Sequence, residues 1–203
     1  MLQIEKETMM KRRRAKAITI ITLSLALMLT ACSTGKEEKK ADTGSSESSE
    51  SSKASSDESD KVFGTFESET LEGEAVSDAI FSKADLTMVN IWGTFCGPCI
   101  REMPDLGELS REYADKGVQV VGLVSDVGEA KNEKAEEIVS TTKADYTHIV
   151  ASKDLMSGIL GSVNVVPTTI FVDKEGNQVG EIYSGARDKA EWAGIIDKLL
   201  GEI

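Results

Sequence analysis

Cys96 and Cys99 stand three positions apart in Trp92-Gly93-Thr94-Phe95-Cys96-Gly97-Pro98-Cys99, between the run Met88-Val89-Asn90-Ile91 and the helix-patterned stretch Ile100 to Lys116. Two cysteines at this spacing, at the start of a helix, are placed for dithiol–disulfide exchange. A helix N-terminus leaves backbone N–H groups unpaired and carries partial positive charge, so a sulfur there is favoured as thiolate, the species that attacks disulfides. Gly97 and Pro98 fit the turn into that helix, Pro98 because a first-turn residue has no intrahelical use for its N–H.

The surrounding pattern has to hold this pair. Thr87 to Trp92 reads as a buried strand leading into the cysteines, and Gly97 to Lys116 as a helix with Met103, Leu106, Leu109 and Tyr113 on one face and Gly117 as its stop. Pro104 inside that run is expected to kink it. Before the site, Val62 to Leu71 and Glu74 to Val76 suggest a strand pair turning at Glu72-Gly73, with a helical turn at Ser77 to Ser82 capped by Ser77. After it come a doubly covered strand (Val118 to Val124), a charged amphipathic helix (Glu129 to Thr141), a short strand (Thr147 to Ala151) and a short helix (Leu155 to Leu160). A hairpin of Thr168 to Asp173 with Val179 to Ser184 and a last helix, Asp188 to Leu200, complete the chain. This order predicts an α/β fold with a central mixed sheet, parallel at its centre and flanked by helices.

The first 31 residues read as a targeting segment. Lys11 to Lys16 form a basic region, and Ala17 to Leu29 an apolar run too short to span a bilayer comfortably. Met9 or Met10 as the true start would give a more usual length. The segment ends in Leu29-Thr30-Ala31-Cys32, which resembles a bacterial lipobox, and that resemblance implies lipidation of Cys32 and an exported, membrane-anchored lipoprotein. An ordinary cleavable signal or an uncleaved anchor are the alternatives. Residues 33 to 60 interleave serine with Glu, Asp and Lys and lack large apolar side chains, so they cannot offset their ordering entropy by burial. We expect a lipidated tether over 32–60 and a folded domain over 61–203.

The whole chain carries 23 Lys/Arg and 35 Asp/Glu; without residues 1–31 the counts fall to 17 and 33, a formal charge of −16. Nucleic acid is therefore excluded as a partner, because phosphate binding needs a basic face. Membrane attachment has to come from the lipid rather than from charge. The cysteines are three, Cys32, Cys96 and Cys99. Closing so tight a loop as 96–99 removes little chain entropy, so reactivity explains the pair better than stapling does.

With Val166-Pro167-Thr168 before the hairpin, the element order resembles the thioredoxin fold, and more narrowly the membrane-tethered thioredoxins of the TlpA and ResA type. The resemblance rests on Trp92 to Cys99, Ile100-Arg101-Glu102-Met103-Pro104 and Val166 to Gly176, and covers residues 62 to 203. It implies a thiol-disulfide oxidoreductase in which Cys96 attacks, Cys99 resolves the mixed disulfide, and a cis Pro167 lies beside them. The Val166 backbone would then be offered to an extended client. Cytosolic thioredoxins carry a buried Asp where this chain has Asn90, which cannot accept a proton. The family's alternative carboxylate maps to Glu102, which shares a helix face with Cys99 and is expected to help deprotonate it. A solvated first-turn Glu favoured by the helix dipole is the other reading.

Trp92, Phe95, Gly97, Pro98, Val166 and Pro167 are the expected substrate surface, with Trp92 half in the core and Phe95 an exposed platform. His148 lies far from any motif and reads as structural or exposed. Beyond the redox-active disulfide Cys96–Cys99 no cofactor is expected, and no metal, since Cys96, Cys99 and His148 fall short of a zinc set. A peroxidase of the peroxiredoxin type would need Thr where Gly93 stands. A binding lipoprotein that merely retains the scaffold would be marked by loss of a cysteine, and both are present. Within the redox reading the Gly-Pro dipeptide and the resemblance favour a monomeric reductase of protein disulfides, supplied by an integral thiol transporter of the CcdA or DsbD kind. Apocytochrome c or an extracellular methionine sulfoxide reductase are the clients expected by analogy, and an oxidase or isomerase of exported proteins is the alternative.

Overall fold

A computed structural model describes residues 61–203. The expected signal segment (1–31) and the lipidated Cys32 with its tether (32–60) lie outside the described residues.

Two short strands, β1 (Glu67–Glu69) and β2 (Ala75–Ser77), pair antiparallel around a turn in which Gly73 N–H donates to Thr70 O at 2.9 Å. The expected long first strand shrinks to three residues because Phe63 and Phe66 leave the strand line to fill the core. Ser77 caps a 3₁₀ turn, Asp78–Lys83, accepting from Ala79 N–H. The main sheet follows: β3 (Leu86–Trp92), β4 (Val118–Val124), β5 (Thr147–Val150), β6 (Thr168–Asp173) and β7 (Gln178–Ser184), in the order β5-β4-β3-β6-β7. Strands β3, β4 and β5 run parallel, and β6 and β7 complete the sheet antiparallel. The N-terminal hairpin covers the β5 edge through Leu71 N–H donating to His148 O at 2.9 Å.

Helix α1 (Gly97–Tyr113) is continuous through Pro104. Pro104 is exposed, while Cys99, Glu102, Met103, Leu106, Leu109 and Tyr113 keep the buried face, so the ladder bond lost at Pro104 falls on the watered side. A 3₁₀ turn, Ala114–Lys116, and Gly117 at φ 80° end the helix as expected. Helix α2 (Glu133–Thr142) starts four residues later than its charge pattern suggests. Asn132 supplies the cap by accepting from Ala135 N–H, and Lys131 N–H is held by Leu71 O at 2.7 Å. The expected single helix after β5 divides at Gly158 into α3 (Lys153–Ser157) and α4 (Ile159–Ser162). Helix α5 (Lys189–Leu200) opens with a capping box of Asp188 and Glu191.

Strand alternation splits the core in two. Leu86, Met88, Trp92, Val120, Val124 and Phe171 pack with α1, α2 and α5 on one face. On the other, Val89, Ile91, Val121, Leu123, Ile170 and Val172 pack with Phe63, Phe66, Phe81, Leu155 and Ile159. Asn90 and Gly122 are paired in register between β3 and β4, on the α1 side. A Cβ on Gly122 would sit 2.2 Å from His148 Nδ1 and 3.0 Å from Trp92 Nε1, so the glycine makes room for two rings. Gly122→Ala is expected to destabilise the fold by about 1–3 kcal/mol, read as a lowered urea midpoint. An unchanged midpoint would mean the rings move aside freely.

Candidate functional site

Strand β3 ends at Trp92, and the turn that follows carries the chain into α1. Its shape is fixed by Asp126, just beyond β4, whose carboxylate accepts from Thr94 N–H at 2.9 Å and from Thr94 Oγ1 at 2.7 Å. Cys96 N–H then donates to Gly93 O at 3.0 Å, which brings Cys96 to the N-cap of α1. Cys96 and Cys99 are joined as a disulfide. The backbone N–H of Cys99 points at Cys96 Sγ, 3.2 Å away, and the first turn of α1 holds no acidic residue. Charge on Cys96 sulfur would be met by a donor and the helix dipole rather than by a carboxylate. Cys99 is fully buried, whereas Gly97 and Pro98 are exposed.

Across from the sulfurs runs the segment before β6. The Val166–Pro167 peptide bond is cis, and Val166 O lies 3.5 Å from Cys96 Sγ. Beside it, Phe95, Ser125, Asp126, Met156, Leu160, Val163, Val165 and Val166 line a groove of about 460 Å³. Phe95 is 70% exposed, and Met156 and Val165 are exposed beside it, an apolar rim at the edge of the disulfide.

Trp92, expected to share the substrate surface, does not reach it. It is fully buried, and its indole N–H donates to His148 Nδ1 at 3.2 Å. His148, remote from the motif in sequence, is thereby its direct partner. The ring's Nε2 donates to Ala144 O at 2.9 Å, so both nitrogens are committed and the neutral Nε2–H tautomer fits. Burial lowers its pKa to about 4. Since the unfolded chain binds the proton near 6.5, this group's contribution is complete above that pH and is lost as pH falls towards 4. The loss amounts to about 3 kcal/mol. We expect wild type to lose stability to urea faster than His148→Gln between about pH 7 and 4.5. Parallel curves would contradict the neutral buried ring.

Glu102 lies one turn beyond Cys99 on the buried face of α1. Its Oε1 accepts from Asn90 Nδ2 at 2.9 Å, and its Oε2 from Arg187 N–H at 3.2 Å and Trp192 Nε1 at 3.4 Å. It is therefore not a solvated first-turn Glu; its oxygens are turned to the sheet and to the start of α5. Burial raises its carboxyl above the usual range, and the bonds from Asn90, Arg187 and Trp192 bring it part of the way back. Arg187 is held in turn by Gly185 O at 3.0 Å and by stacking over the Tyr183 and Trp192 rings at 5.2 and 5.1 Å.

Sequence reasoning missed Asp126, Arg187, Trp192 and Thr169, whose Oγ1 accepts from Asn90 Nδ2 at 3.0 Å. Only Asn90, a polar residue within an apolar strand, signalled that a buried partner had to exist. Among the described residues no helix is long and apolar enough to cross a membrane, and no group of three or more His, Cys, Asp or Glu side chains is placed to hold a metal.

The same architecture recurs among solved structures. A thiol:disulfide interchange protein of the thioredoxin family from Chlorobium tepidum TLS superposes with a TM-score of 0.57 at 26% identity, over 67% of this chain and 93% of that one. The fold is the thioredoxin fold, here with an N-terminal hairpin. In sequence, the chain is 32% identical over 113 residues to the thiol-disulfide oxidoreductase ResA of Bacillus cereus, covering 55% of this chain but only 61% of that relative's length. It is 31% identical over 136 residues to the thioredoxin-like protein YneN of Bacillus subtilis, over 65% of this chain and 75% of the relative. The family profile described as Redoxin matches residues 57–193, two thirds of the chain and all of the site, and the protein belongs to that family.

Proposed function

We propose that the chain is an extracytoplasmic thiol-disulfide oxidoreductase that reduces disulfides of exported proteins. The observation that carries this is Cys96 at the N-cap of α1, its sulfur met by Cys99 N–H and flanked by the Val166 main chain and the exposed Phe95. The reduced Cys96 thiolate attacks one sulfur of a client disulfide, forming a mixed disulfide and releasing a client thiolate, which takes up a proton. Cys99 gives its proton to Glu102 and attacks Cys96 Sγ, which closes the Cys96–Cys99 disulfide and releases the second client thiolate. Two electrons pass from this chain to the client. A membrane dithiol donor, by analogy a transporter of the CcdA or DsbD kind, returns them.

Phe95, Gly97, Pro98, Val166 and Pro167 form the client surface in this reading, with the Val166 main chain as partner for an extended segment. Lipid on Cys32 and the 33–60 tether would hold the domain outside the membrane, and apocytochrome c or an extracellular methionine sulfoxide reductase are the clients proposed. The names of the relatives support the reaction class. Its test is the dithiothreitol-driven reduction of insulin: catalysed precipitation is expected, and a rate equal to the uncatalysed one would refute the assignment.

A further inference from the structure

Asn90 is fully buried in the middle of β3, in register with Gly122 of β4 and Thr169 of β6. Its Nδ2 uses both hydrogens, one to Glu102 Oε1 at 2.9 Å and one to Thr169 Oγ1 at 3.0 Å, while its Oδ1 is buried with no protein partner. The other neighbours of the carboxylate, Arg187 N–H and the Trp192 indole, are donors and can never accept. This shell serves an ionised Glu102. A protonated Glu102 presents an O–H that needs an acceptor in the same place, and a buried donor left unpaired is costly.

Two of the groups in contact can reverse their role. Turning the Asn90 amide by half a revolution exchanges Nδ2 for Oδ1, whose two lone pairs accept from Glu102 and from the Thr169 hydroxyl, now a donor. The same two contacts persist with their direction inverted; Glu102 and Thr169 are paired in both states, and the end of the amide turned away from them has no protein partner in either, Oδ1 in the first and Nδ2 in the second. We propose that Asn90 is a positioning residue whose amide follows the charge of Glu102, nitrogen toward the carboxylate and oxygen toward the carboxylic acid, with the Thr169 hydroxyl reversing alongside it. An ionised Asp at this position could offer only acceptors to an ionised Glu102, so the amide is the group that supports both states.

The inference rests on the proposed role of Glu102 as the holder of the Cys99 proton. That proton leaves Cys99 Sγ as this sulfur bonds to Cys96, resides on Glu102 Oε1 facing Asn90, and passes to the departing client thiolate; no electrons move in the amide step. The charged and titratable groups around Glu102 are few. Cys99 shares its helix. The Tyr146 phenol, ahead of β5, is raised by burial and by Glu102, and stays neutral. Arg187 brings its guanidinium, and His148, beyond Gly122 in the same cross-sheet row, gains its proton only near pH 4.

Isotope-labelled full-length chain, reduced and oxidised, would be followed by NMR while pH is varied. As the Glu102 Cδ signal titrates, cross-peaks from the Asn90 side-chain NH₂ to Thr169 should fall at least about threefold with the same midpoint. Asn90→Asp, which places two carboxyl groups together, should move the midpoint of the resolution rate upward by about one pH unit or more. Cross-peaks that stay constant while Glu102 titrates, or an unmoved midpoint in Asn90→Asp, would overturn the assignment of Asn90 and leave the role of Glu102 standing. Wild-type resolution in Glu102→Gln would instead remove the proton role, and the inference with it.

Discussion

Cys96→Ser is expected to abolish thiol–disulfide exchange, and Cys99→Ser to leave the chain covalently bound to its clients. The asymmetry follows from where α1 begins. Cys96 sits at the cap, beside the Val166 main chain and the exposed groove, with Cys99 N–H aimed at its sulfur. A serine hydroxyl placed there is not ionised near neutral pH and cannot attack a disulfide, so turnover should fall by about 10³-fold or more. Cys99 is fully buried, out of reach of a client but one turn from Cys96. In the proposed mechanism its loss removes the intramolecular attack that ends the mixed disulfide, and intramolecular attack enjoys a large effective concentration. Non-reducing electrophoresis after exposure to client should therefore show adducts in Cys99→Ser and none in Cys96→Ser. Adducts in Cys96→Ser and none in Cys99→Ser would mean that Cys99 is the attacking thiol.

Glu102→Gln has the second-largest expected effect, on the resolution step alone. Burial holds the carboxyl above the ordinary carboxylate range, so its ionised fraction grows over a higher pH range than that of an exposed carboxylate. In wild type the resolution rate should rise with pH through this group's titration. The glutamine variant has no such group, so it should lose that inflection and resolve about 10²-fold more slowly at its worst pH. The fold should survive, because the substitution removes a buried charge while the amide oxygen can still accept from Asn90 or from Arg187 N–H. Stopped-flow decay of a preformed mixed disulfide gives the rate at each pH. An unchanged inflection would assign it to Cys99 rather than to Glu102.

How much of this is legible in the sequence depends on how local each signal is. The strand into Trp92, the cap at Cys96, the stop at Gly117 and the succession of strands and helices along the chain all arise from periodicity and turn chemistry within a few residues, and each is readable. The helix after β4 is misplaced by its charge pattern because its start is set by Asn132 and by Leu71, far earlier in the chain, and the pattern is blind to both. Trp92 reads as half exposed because nothing in the chain near it names His148, its partner 56 positions later. The same holds for Glu102. Its reach toward the sheet is visible in the helix face it shares with Cys99, but Arg187 and Trp192 arrive from the other end of the chain. Long-range polar contacts leave no periodic trace.

The central claim is that the Cys96–Cys99 pair donates electrons to its clients. Equilibrating the full-length chain with glutathione buffers, and scoring the dithiol by alkylation, measures its reduction potential directly. A reductase of this kind should lie near the potentials of reducing thioredoxins, at about −270 mV and in any case below about −200 mV. A value near about −120 mV, where strong oxidants lie, would contradict the account and make the protein a source of disulfides.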